Sequence, residues 1–91
     1  MTTLYHETRP ENVDSILRDG LRDAYEPLFD AWGVWFRVGD IHTRSDRVLL
    51  AIDADLSEAE LESYRRGRQG IKDFEQFFIP AARLKGRPRR V

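Results

Sequence analysis

The stretch Thr3–Leu21, TLYHETRPENVDSILRDGL, decides how the chain is read, because it holds a strand, a helix start and a helix stop in succession. Thr3–Glu7 has strand character, with Leu4 and His6 on one face and Tyr5 on the other. A helix is expected from about Arg9. Thr8 has the chemistry of an N-cap, Glu11 three residues on completes a capping box, and Pro10 falls in the first turn, where its missing N–H costs nothing. Val13, Ile16 and Leu17 form an apolar stripe, and Gly20 permits a left-handed stop over which Leu21 can close.

Outward from this unit the signals alternate between strand and turn. Residues 22–32, RDAYEPLFDAW, follow neither period and are expected to form a loop with at most a helical turn. A loop of that length in a small domain is more often functional than a short one. GVWFRV (33–38) consists of strong strand formers, GDIHTRSD (39–46) is a polar turn region, and VLLAID (48–53) is an apolar run typical of a buried strand. Ser57 with Glu60 caps a short helix that carries Leu61 and Tyr64 inward. RRGRQG (65–70) reads as a basic loop, FEQFFI (74–79) as a strand ended by Pro80, and residues 81–84 as a short strand or turn. The order predicts an α+β fold: one small domain over residues 1–84, with a short mixed or antiparallel sheet and two helices, followed by a basic tail at 85–91.

Composition narrows the function classes. The 91 residues carry a net charge of −1, which argues against bulk electrostatic capture of nucleic acid. The local exception is RLKGRPRRV (83–91), whose five positive charges stand without a negative one and which reads most simply as a solvated tail. Absence of cysteine excludes disulfides, thiolate nucleophiles and cysteine-based zinc sites. No apolar signal region and no run approaching about 20 apolar residues is present, so a cytoplasmic location without a membrane partner is expected.

The chemistry-bearing residues are few. Around His6 and His42 no metal-ligand spacing recurs, no glycine pattern matches a phosphate loop, and no serine is marked as sitting on a strained elbow. A lone histidine on a short strand is more often structural than functional, and Trp35 alone signals core. Glu75 and Gln76 say more. Adjacent strand residues point to opposite faces, so one of the two shares a face with neighbouring phenylalanines. There it needs a partner, which a ligand can supply, unless the strand has a solvated face.

In order and wording, LYHETRPENVDSILRDGLR, GVWF, VLLAID and EQFFIP resemble the ADP-ribosyltransferase-like superfamily, which includes the RNA 2′-phosphotransferases and small bacterial and phage relatives. The likeness covers most of residues 4–84, through motifs that are each short. It implies NAD as the cofactor-like substrate, contacted by His6, Thr8, Arg9 and Trp35, with His6 on a ribose hydroxyl and the Trp35 ring against nicotinamide. Counting back from Pro80, it sets Gln76 at the position of the catalytic glutamate and Glu75 one residue early. The catalytic candidates are therefore His6, Gln76 and Glu75. A neutral glutamine cannot offer the anion that stabilises positive charge developing on the ribose as nicotinamide leaves. Three expectations stay open. One is a transferase acting on a protein or nucleic-acid acceptor. The second is a catalytically degenerate binder of a nucleotide or partner protein, such as a phage or mobile-element inhibitor. The third is an unrelated interaction or nucleic-acid module using the basic tail.

Overall fold

A computed structural model describes residues 2–39, 43–68 and 75–91, the side chains of residues 67, 68 and 75 excepted. Strand β1 (Thr2–Thr8) leads into helix α1 (Pro10–Asp19), then β2 (Ala24–Glu26), β3 (Ala31–Val38), β4 (Val48–Ala54), helix α2 (Glu58–Ser63), β5 (Arg65–Arg68), β6 (Glu75–Ile79), a 3₁₀ turn (Ala81–Arg83) and β7 (Arg89–Arg90). The α+β architecture, with two helices on a small sheet, is as the sequence predicts. Among the described residues the sheet has seven strands in the order β5-β6-β3-β1-β4-β7, with β2 hairpinned onto β3, and every pairing is antiparallel. Among them, too, no helix is long and apolar enough to cross a membrane.

Register sorts the side chains. Tyr5 stands opposite Arg37, and Arg37 opposite Gln76, so these three share one face. Leu4, His6 and Thr8 take the other face of β1, in register with Ile52, Leu50 and Val48. That second face is the core. Leu4, Val34, Phe36, Ile52, Ala54, Phe77 and Ile79 pack there, with Leu61 and Tyr64 of α2 laid against them. The capping box of α2 forms as its sequence implies: the Ser57 hydroxyl accepts from the Glu60 N–H, and Glu60 accepts from the Ser57 N–H.

Several local expectations need correction. Thr8 does not cap α1. It is the last residue of β1, paired with Val48 and buried, while extended Arg9 occupies the N-cap position without a side-chain cap bond. The helix start rests on Pro10 in its first turn, and Gly20 at φ +89° ends it as expected. Residues 22–32 are not simply a loop, because Ala24, Tyr25 and Glu26 pair with Gly33, Trp32 and Ala31 across a turn at 27–30. Arg65–Arg68 is an edge strand on β6 rather than a loop. Residues 81–83 form a 3₁₀ turn, the second of the two forms expected there.

The basic tail also joins the fold. Arg89 and Arg90 pair with Ala51 and Leu50, the Val91 N–H donates to the Leu49 carbonyl at 3.2 Å, and Pro88 is buried. Arg89 meets Asp53 at 3.2 Å, and the Arg87 guanidinium donates to the Leu17 and Arg18 carbonyls at the end of α1. Asp40, His42, Gly70 and Phe74 lie outside the described residues.

Candidate functional site

The strand-to-helix unit that opens the chain builds the largest cleft found among the described residues. Because β1 alternates, His6 and Thr8 fall on the helix-covered face, while Val13 anchors α1 to the core at 1% exposure. Asn12, Ser15 and Asp19 follow helical spacing and line the space left between helix and sheet. Val34 of β3 lines it from the sheet side, and Arg18 and Arg22 at the end that leads toward β2. The cleft is open to solvent, and its volume is about 610 Å³, within the range of small-molecule sites.

His6 is the one histidine among the described residues, and its state is fixed by its surroundings. Its Nδ1 lies 2.8 Å from the Trp35 carbonyl oxygen. A carbonyl only accepts, so Nδ1 carries the proton. Burial pushes the His6 pKa below the ordinary histidine value, against the opposing pull of the bond to Trp35 and of the Glu7 carboxylate. The ring is therefore neutral at pH 7, and its Nε2 is an acceptor. Phe36 packs against it at 5.8 Å between ring centroids. A buried acceptor, the Thr8 hydroxyl and the Asn12 and Ser15 side chains suit a hydroxyl-rich ligand. Arg18 and Arg22, which also pair with Asp19 at 3.1 Å and 3.7 Å, suit an anionic group beyond it.

The other expected site residues divide between this cleft and a second groove, and His6 helps to line both. Trp35 lines the cleft through its backbone, but its ring lies on the opposite face, 5.1 Å from Phe78 and 5.7 Å from Phe29. Arg66 covers the Phe29 ring there at 5.3 Å. Gln76 shares that face through its register with Arg37 and helps to line a groove of about 170 Å³ there, together with Tyr5, His6, Glu7, Trp35 and Arg37. Arg37 and Glu7 form an ion pair at 3.6 Å across its floor. His6, Trp35 and Gln76 thus line that groove together, while the larger cleft takes His6 and Trp35 without Gln76. Arg9 is exposed at the start of α1 and does not line the cleft. Glu75 stands opposite Val38 in the β3–β6 ladder, and its side chain is outside the described set.

Asn12, Ser15, Arg18 and Arg22 escaped the sequence reading. The signal for the first two was present as a polar stripe at 12, 15 and 19 beside the apolar stripe of the same helix. Among the described residues no group of three or more His, Asp or Glu could hold a metal ion. The chain matches no family model, no curated protein and no solved structure.

Proposed function

We propose that the protein binds a nucleotide in the cleft beneath α1, with NAD and ADP-ribose as the first ligands to test, as a degenerate relative of the ADP-ribosyltransferase-like proteins. The observation that carries this reading is His6: a neutral ring with Nδ1 locked to a backbone carbonyl leaves Nε2 to accept a hydrogen bond from a ribose hydroxyl. The motif order of the sequence supports the same assignment from a separate direction. Binding is favoured over transfer because the residue at the catalytic motif position is a neutral glutamine whose strand register puts it on the far side of the sheet. Charge developing on the ribose would find no stabilising anion from Gln76.

The test is calorimetric titration with NAD, alongside measurement of nicotinamide release by wild type, Gln76→Glu and Glu75→Gln. Binding of NAD with negligible release by wild type and both variants is the expected result. Absence of heat with NAD and with ADP-ribose would overturn the reading. Rapid release abolished by Glu75→Gln would replace the binder with a transferase that uses Glu75.

A further inference from the structure

The hairpin formed by β2 and β3 carries an aromatic pair that the core does not use. Tyr25 and Trp32 stand directly opposite each other, with ring centroids 5.4 Å apart. They remain 45% and 62% exposed. Isolated exposed aromatics are ordinary, but a matched cross-strand pair held in place is not. The Tyr25 hydroxyl donates to Asp30 Oδ1 at 2.6 Å, and the turn beneath is closed by the Phe29 N–H on the Glu26 carbonyl at 3.2 Å. Asp30 itself sits at φ +49°, a left-handed conformation that Asp tolerates better than most residues. The rings are therefore presented on a fixed scaffold.

Their position relative to the cleft follows from the strands. Ala24 and Gly33, the chain neighbours of Tyr25 and Trp32, line the cleft, as does Val34. Trp32 is the next residue after Val34 on the same face of β3, about 7 Å further along. Arg22, which lines the cleft, precedes Tyr25 by three residues. Along this path the molecule thus offers a histidine acceptor, then two guanidinium groups, then the Tyr25–Trp32 pair, whose rings are tilted 54° to each other. That is the order in which ADP-ribose presents its terminal ribose, its diphosphate and, beyond the second ribose, its adenine.

We propose that Tyr25 and Trp32 form a stacking platform at the cleft mouth for the purine base of the bound nucleotide. The proposal rests on the cleft being a nucleotide site, and it adds which end of the ligand enters first. The terminal ribose lies at His6, the diphosphate at Arg18 and Arg22, and the adenine, with the ribose it is bonded to, at the hairpin. Stacking on an aromatic side chain accepts any base and contributes affinity without base-specific hydrogen bonds.

The experiment titrates ADP and ribose 5-phosphate into wild type, Trp32→Ala, Trp32→Phe and Tyr25→Ala, with a thermal melt of each. Trp32 is mostly exposed, so folding should survive its loss, and the melts verify this. Expected is a loss of ADP affinity of roughly tenfold in Trp32→Ala, a smaller loss in Tyr25→Ala, near-wild-type binding in Trp32→Phe, and unchanged ribose 5-phosphate binding throughout. ADP affinity unaffected by Trp32→Ala would overturn the platform while leaving the cleft reading intact. Equal losses for ADP and ribose 5-phosphate would overturn it too, since base stacking cannot affect a ligand without a base. No binding of either ligand to wild type would overturn the cleft reading and the platform together.

Discussion

Replacing Gly33 with alanine should destabilise the sheet through a collision that can be named atom by atom. A Cβ there would stand 2.9 Å from Phe78 Cε2, 3.1 Å from Phe78 Cζ and 3.2 Å from the backbone carbonyl carbon of Ile79. Neither neighbour yields easily. The Phe78 ring is 3% exposed and packed against Trp35 and Phe29, and Ile79 is held in the β3–β6 ladder opposite Val34. Overpacking of this kind costs about 1–3 kcal/mol, offset by about 0.4–1 kcal/mol from the stiffer unfolded chain. A net loss of about 1–2 kcal/mol remains, which for a domain of this size lowers Tm by roughly 4–8 °C per kcal/mol. The cause is tested by a double-mutant cycle with Phe78→Leu, which removes the two ring atoms that collide. Circular dichroism melts and urea titrations of the four proteins should show the double variant more stable than the summed losses, by about 1 kcal/mol. Additive losses, or a Gly33→Ala protein as stable as wild type, would refute the steric account.

Deleting residues 87–91 should lower stability by about 1–3 kcal/mol, because the strand bonds to β4 and the cover over Leu50 and Ala51 are lost. An unchanged urea midpoint would show that β7 adds nothing. His6 should impose a pH dependence. Its folded pKa lies below the ordinary 6.5, so below that value the unfolded chain binds more protons than the native one. The stability contributed by neutral His6 is complete above about pH 6.5 and is lost as pH falls through the folded pKa, by at most about 1.4 kcal/mol per pH unit. Urea midpoints of wild type and His6→Gln between about pH 5 and 7.5 should differ in slope, and parallel curves would refute the burial argument.

The elements legible in the sequence are those whose local chemistry and tertiary role agree. Pro10 and Gly20 bound α1, the Ser57–Glu60 pair bounds the start of α2, and the apolar run at 48–53 is β4. Where the two diverged the sequence misled. Thr8 has the chemistry of a cap, yet pairing with Val48 extends β1 through it and turns its side chain to the core. Arg65–Arg68 and Arg89–Arg90 are edge strands built largely of arginine, and charge on an edge blocks unwanted pairing while erasing the strand signal. The hairpin strand Ala24–Glu26 is three residues long, too short for alternation to show. For the site, His6 on the same face of β1 as Leu4 could be read directly. The face of the sheet that Trp35 and Gln76 take could not, because it depends on the registers Tyr5–Arg37 and Arg37–Gln76 between strands distant in sequence.

The central claim is that His6, and not Gln76, belongs to the ligand site. Calorimetric titration of ADP-ribose into wild type, His6→Ala and Gln76→Ala tests it most directly. The account expects Gln76→Ala to bind like wild type. It expects His6→Ala to weaken binding by about 1–3 kcal/mol, the cost of leaving a ligand hydroxyl without its acceptor. Equal loss in the two variants would contradict it, because His6 lines the cleft beneath α1 and Gln76 does not.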